Sequence, residues 1–134
     1  DIVSINWYLW HKQEPEDAAA FLGEWHERTG GKPLAMTEWS FEMTDGRLLA
    51  SRTLCTTEQA RAALADRYMR TCLALPFLVG LHWFQWGDQP ILGRGLADGE
   101  RAAFGIVDVA DRPHGPLVDV IRRCSADMYA VHGQ

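Results

Sequence analysis

Lys32-Pro33-Leu34-Ala35-Met36-Thr37-Glu38-Trp39-Ser40-Phe41 is the stretch on which the fold turns. Leu34, Ala35 and Met36 form a short apolar run entered through Pro33, the pattern of a parallel strand covered on both faces. A carboxylate at the carboxyl end of such a strand, Glu38, must be ion-paired, hydrogen-bonded or chemically used, because an unpaired charge away from water is costly. An ordinary buried ion pair and a reacting carboxylate both meet that demand.

Outward from this strand the chain alternates strand and helix. Asp1 to Leu9 is β-rich through Ile2, Val3, Ile5 and Tyr8, and Pro15 to Thr29 carries Ala18, Phe21, Leu22 and Trp25 at helical spacing, closed by Gly30-Gly31. Trp25, on that apolar stripe, reads as core. A second helix is predicted from a capping box at Thr56 and Gln59 through Ala60, Leu64, Tyr68, Cys72 and Leu75, with Pro76 as its stop. A third strand spans Leu78 to Trp86. A third helix opens near Pro116, with Leu117, Val120, Ile121, Cys124, Met128 and Val131 along one face. Three βα units in series call for an α/β fold with parallel strands.

Connections from helix to strand are short, whereas those after the second and third strands run to roughly 15 and 25 residues, well beyond the usual few. Long loops at the carboxyl ends of parallel strands are where a (β/α)8 barrel or an open doubly wound sheet assembles its site. No Gly-x-Gly-x-x-Gly follows a strand, so a dinucleotide cofactor is not expected.

The 134 residues fit one compact unit, and a net charge of −5 with a pI near 5.4 argues against a nucleic-acid partner. Cys55, Cys72 and Cys124 lie far apart with no Cys-x-x-Cys spacing, and His11, His26, His114 and His132 have no metal-ligand spacing. No disulfide framework, zinc site or other cofactor is predicted. No apolar run approaches the roughly 20 residues of a membrane span. The chain opens on Asp1 inside strand-like sequence, so an upstream portion is expected and the compartment stays open.

Five of the six tryptophans, Trp7, Trp10, Trp39, Trp83 and Trp86, fall at or just past strand ends, where flat indole faces could stack on sugar C–H surfaces. Space-filling between strands and helices is the competing role for any one of them. His82 beside Trp83 reads as a group that orients a substrate hydroxyl or, the commoner case, as a satisfied core histidine. Ser4, Ser40 and Ser51 lack the Gly-x-Ser-x-Gly elbow of a serine hydrolase. Asp88, Arg94, Asp98 and Glu100 populate the last long loop as solvated charge or as hydroxyl-binding groups.

The order Asp1-Ile-Val-Ser-Ile-Asn-Trp-Tyr-Leu-Trp10, a helix, then Lys32-Pro-Leu-Ala-Met-Thr-Glu-Trp39 resembles strands six and seven of the clan A retaining glycoside hydrolases, which include β-galactosidases, β-glucuronidases and agarase-like enzymes. The segment from Trp83 through Gln89-Pro90, Gly93-Arg94, Phe104-Gly-Ile-Val-Asp108 and Asp111-Arg-Pro113 is most similar to the agarase-like members. The resemblance implies that residues 1–134 are a single C-terminal portion of a (β/α)8 catalytic domain, a partial TIM barrel of strands six to eight. It makes Glu38 the nucleophile, Tyr8 its hydrogen-bonding neighbour and Trp83 the floor of a sugar subsite. Asn6, Trp39, Trp86, Asp88 and Arg94 join as substrate-binding candidates. The implied partners are an oligosaccharide or β-glycoside, and the remainder of the barrel or a second copy to cover exposed strand edges. The family's acid/base Glu lies on strand four in an Asn-Glu context that this chain lacks, which leaves a non-catalytic carbohydrate-binding or scaffold protein on a degenerate half-barrel as the alternative.

Overall fold

Parallel strands cannot be joined by tight hairpins, and the order of elements follows from that constraint. The computed structural model describes residues 1–10, 12–44, 54–95 and 99–132. Strand β1 (Val3–Asn6) leads through helix α1 (Pro15–Arg28) to β2 (Leu34–Trp39), and a two-stranded excursion of β3 (Glu42–Met43) and β4 (Leu54–Cys55) precedes α2 (Glu58–Leu73). Strand β5 (Leu78–Trp83) and α3 (Gly115–Val131) complete the chain. The main sheet has the order β1-β2-β5, parallel throughout, so the fold is α/β with three strands and three helices.

Residues from all three helices, among them Leu22, Ala65, Tyr68, Leu117 and Val120, share one core with Leu34, Met36 and Leu78. They cover one face of the sheet. On the other face Ser4, Asn6 and His82 are exposed and Ala35 is half-buried, so within the described residues the helices cover β2 on one side. Its apolar run is short enough that Leu34 and Met36 alone supply the buried face, while Ala35 needs little cover.

Helix boundaries follow local chemistry. Pro15 begins α1, and Gly30 and Gly31 end it at φ of 75° and 79°, where their N–H groups bond the carbonyls of Glu27 and His26. The cap of α2 is one residue later than the sequence pattern suggests: the Thr57 hydroxyl, not that of Thr56, accepts from Ala60 N at 3.0 Å. Tyr68 and Cys72 point inward as expected, joined by Arg61 and Ala65, whereas Ala60 is exposed; the helix ends at Leu73, before Leu75. Trp25, expected in the core, is 37% exposed, and the Arg28 guanidinium covers its ring at 5.5 Å from the centroid. Strand β5 stops at Trp83, and a cis peptide joins Phe84 to Gln85.

Helices α2 and α3 are tied through Asp66, which accepts from Arg70 Nε at 3.3 Å, Arg123 Nη2 at 2.9 Å and the Cys124 thiol at 3.5 Å. Burial works against the Asp66 carboxylate, but the bonds from Arg123 and Cys124 and the charges of Arg70 and Arg123 outweigh it and hold its pKa below the usual range. A depressed carboxylate adds stability that is present at neutral pH and lost as acid protonates it. The three cysteines are free and buried, and burial pushes the Cys72 thiol up to about 12.

Replacing Thr57 by Ala should cost about 1 kcal/mol in urea unfolding, the value of an N-cap hydroxyl. The same change at Thr56 should stay within about 0.5 kcal/mol, as for a plain surface position.

Candidate active site

Strand β2 carries one residue more than either neighbour at its carboxyl end. Against β1 the register passes from Ile5↔Met36 to Asn6↔Glu38, and against β5 from Met36↔Leu81 to Trp39↔Trp83. Both irregularities place the extra residue of β2 at Thr37 and Glu38, a β-bulge. In an unbroken strand Glu38 would share the helix-facing side of Leu34 and Met36, and Trp39 would face outward with Ala35. With the bulge, Thr37 and Glu38 are both half-buried and Trp39 returns to the core. A one-residue insertion thus exchanges the faces of the two residues that matter most.

The Tyr8 hydroxyl, two residues beyond β1, donates to Glu38 Oε2 at 2.8 Å. Glu38 Oε1 has no hydrogen-bond partner among the described residues. The backbone reinforces the pairing, since Trp7 N–H donates to the Glu38 carbonyl at 3.1 Å. Beneath this pair the Thr37 hydroxyl donates to Asn6 Oδ1 at 2.6 Å and lies 3.2 Å from the Ile5 carbonyl. Four candidate or neighbouring groups, Asn6, Tyr8, Thr37 and Glu38, therefore sit together at the carboxyl ends of β1 and β2.

Trp83 ends β5 beside them. Its indole N–H donates to the Phe104 carbonyl at 2.8 Å, and its ring meets that of Trp39 edge to face at 4.8 Å. Phe84 packs on Phe104 at 5.3 Å and stands edge-on to Tyr8 at 6.5 Å. The tryptophans do not form one platform. Trp39, proposed as a stacking surface, is 2% exposed and lies face to face on Tyr68 at 4.5 Å, because the bulge turns it inward. Trp7 stacks on Phe21 of α1 at 4.8 Å, filling space between strand and helix. Trp10 and Trp86 are 52% and 68% exposed.

Two candidates in the last loop prove to hold the loop itself. Asp88 is 8% exposed; Oδ1 accepts from Gly105 N at 2.7 Å and Oδ2 lies 3.1 Å from His114 Nε2. Arg94 pairs with Glu100 at 3.1 Å, and Gln89 joins the same carboxylate at 2.6 Å. Both side chains are engaged with other residues of the loop or with His114 at the start of α3. His82 is exposed on the open face of β5, rather than a core histidine. His11, Ser51 and Asp98 lie outside the described residues.

Sequence reasoning passed over Arg61 and Glu58, weighed His114 only as a metal ligand and met Gly105 only within the Phe104-to-Asp108 motif. Arg61 is fully buried on α2; Nη2 bonds both Glu58 oxygens at 3.1 and 3.2 Å, and Nη1 reaches the Gly105 and Ala103 carbonyls at 3.3 and 3.5 Å. The signal was there, since an arginine at 61 falls in line with Ala65, Tyr68 and Cys72 on an otherwise apolar stripe. Gly105 admits no side chain, because a Cβ would lie 2.2 Å from Asp88 N and 2.3 Å from the Val107 carbonyl. Among the described residues no group of three or more His, Cys, Asp or Glu could hold a metal ion, and no helix is long and apolar enough to cross a membrane.

No family model matches the chain. Beta-agarase B of Vibrio sp. (strain JT0107) is 33% identical over 131 residues, which are 96% of this chain and 13% of that protein. The structure of an exo-β-agarase aligns with 100% of this chain and 17% of its own, with a TM-score of 0.80 at 32% identity. A β-glucuronidase from an uncultured Clostridium sp. aligns with 94% of this chain and 23% of its own, with a TM-score of 0.68 at 20% identity, a likeness of fold. The β-agarases are homologues of this chain, which spans a small part of their length.

Trp39→Ala should cost about 3–5 kcal/mol in denaturant unfolding, as expected of a large buried aromatic. Trp86→Ala should change stability by less than about 0.5 kcal/mol.

Proposed function

We propose that the chain is part of a retaining β-glycosidase, three consecutive βα units corresponding to strands six to eight of a (β/α)8 barrel, with Glu38 as its nucleophile. Homology to β-agarases supports glycoside hydrolysis as the chemistry and a β-linked galactan of the agarose type as the substrate. The Tyr8–Glu38 hydrogen bond carries the reading: it holds a carboxylate at the carboxyl end of a parallel strand, on the face that the bulge leaves open.

In this mechanism Tyr8 occupies Oε2 and leaves Oε1 to attack the anomeric carbon. As the new C–O bond forms, the glycosidic C–O bond breaks and the departing oxygen takes a proton from a second carboxylic acid. Water, deprotonated by that same group, then cleaves the glycosyl ester and restores the original anomeric configuration. The two carboxyls of a retaining enzyme stand about 5–5.5 Å apart. The second one is proposed to come from the remainder of the barrel, outside residues 1–134. Trp83 and Trp86 supply indole faces for sugar rings at the end of β5. The outer edges of β1 and β5 are to be covered by the remainder of the barrel or by a second copy, since unpaired strand edges are sites of association.

Turnover of an aryl galactoside and of agarose oligosaccharides by the complete protein tests the assignment. Glu38→Gln should abolish it with the fold intact by circular dichroism, and Tyr8→Phe should lower kcat about 10- to 100-fold, the effect of one hydrogen bond to a charged group. Unchanged turnover in Glu38→Gln removes Glu38 as nucleophile. Saccharide binding without turnover in the wild type moves the protein to the non-catalytic, carbohydrate-binding reading.

A further inference from the structure

A closed ring of polar contacts lies behind the site without reaching its open face. Arg61 on α2 grips Glu58 with one end of its guanidinium and the carbonyls of Ala103 and Gly105 with the other. His114, the N-cap of α3, sets Nδ1 at 2.9 Å from Glu58 Oε1 and Nε2 at 3.1 Å from Asp88 Oδ2. Asp88 returns to the loop by accepting from Gly105 N at 2.7 Å. Three elements, α2, the loop after β5 and the start of α3, thus meet at one imidazole, and the tripeptide 103–105 is held from both sides.

The residue between those two holds is Phe104, whose carbonyl accepts the Trp83 indole N–H at 2.8 Å. A buried guanidinium and a nearly buried carboxylate are costly unless partnered, and here both Nη atoms of Arg61 and both Asp88 oxygens have partners, so losing a member of the ring carries a penalty. Gly105 allows the close approach on which it depends, since a side chain there would strike the backbone of Gly87 and Asp88. We infer that His114 is a positioning residue for saccharide binding: by bridging Glu58 and Asp88 it locks Phe104, and through the Phe104 carbonyl it fixes the plane of the Trp83 indole. The inference rests on the reading that Trp83 faces the sugar, and it assigns His114 no contact with substrate. The bond to Phe104 is directional, whereas the ring contacts from Phe104 through Phe84 to Tyr8 are not, so the effect falls on affinity more than on the chemical step.

His114→Ala in the complete protein should raise KM for the oligosaccharide about tenfold while kcat changes less than about threefold. Trp83→Phe removes the indole N–H and keeps an aromatic face; in that background His114→Ala should add less than about twofold to KM, because both changes break the same chain of contacts. A tenfold effect that persists in Trp83→Phe, or an unchanged KM in His114→Ala, overturns the inference. Should His114→Ala fold poorly, Asp88→Asn keeps the acceptor for Gly105 N and weakens the contact with His114, and it should show the same KM rise and the same coupling to Trp83→Phe. A second readout is independent of turnover: the indole N–H resonance of Trp83, identified by its loss in Trp83→Phe, should move in His114→Ala. A shifted resonance in a protein that hydrolyses no glycan defeats the glycosidase reading and leaves the positioning role standing. Hydrolysis in a protein whose Trp83 resonance stays in place defeats the positioning role alone.

Discussion

One extra residue in β2 governs the arrangement of everything near Glu38. Parallel strands alternate their side chains with a period of two, so the face on which a residue lands is decided by parity along the strand. The bulge at Thr37 and Glu38 breaks that parity relative to both neighbours, against Ile5 and Asn6 on one side and against Leu81 and Trp83 on the other. Upstream of it, Leu34 and Met36 face the helices. Downstream, Trp39 faces them again, stacked on Tyr68, and between the two stretches a pair of polar residues faces away. The apolar demand of Trp39 and the polar demand of Glu38 are satisfied together by a single backbone irregularity.

The same logic of satisfied demand runs through the loop after β5. It is too long to hold its shape by local turns alone, and its backbone groups need partners. Arg61 supplies two of them from α2, Asp88 supplies another, and Gln89 bridges Ala102 N and Glu100. The fully buried arginine bonds both Glu58 oxygens through Nη2 and two loop carbonyls through Nη1, which leaves only Nε without a partner among the described residues. The loop in turn offers the Phe104 carbonyl to Trp83, so helix α2 reaches the edge of the candidate site through polar contacts as well as through the packing of Tyr68 on Trp39.

Much of the architecture was legible in the chain. The period of 3.6 in α1 and α3, the Gly30-Gly31 stop and the apolar entry of β2 are local signals, and the structure places those elements within a residue or two of the expected bounds. The pairing of Tyr8 with Glu38 was implied by the resemblance to the clan A glycoside hydrolases, and the Tyr8 hydroxyl does donate to Glu38 Oε2 at 2.8 Å. Errors arose where parity or rotation mattered. The cap of α2 is Thr57 rather than Thr56, and its buried face keeps Tyr68 and Cys72 but takes in Arg61 and Ala65 and leaves Ala60 exposed. Trp25 sat on an apolar stripe by spacing, yet α1 is covered only in part and leaves that position to an Arg28 cation–π contact. Asp88 and Arg94 resembled solvated or ligand-facing groups because their partners, His114, Gly105 and Glu100, are between 6 and 26 positions away.

What the sequence by itself determined is the succession of elements, the parallel sense of the strands and the gathering of Glu38, Tyr8 and Trp83 at one end of the sheet. Those follow from hydrophobic period, from turn residues and from the geometry of βα units, all of which act over short stretches of chain. Only the tertiary structure decided which face each residue took: that Glu38 looks out and Trp39 in, and that Asp88 closes a ring with His114, Glu58 and Arg61. A bulge is defined by the register of two neighbouring strands, and a buried polar ring by groups on separate elements, so neither has a signature within any one segment.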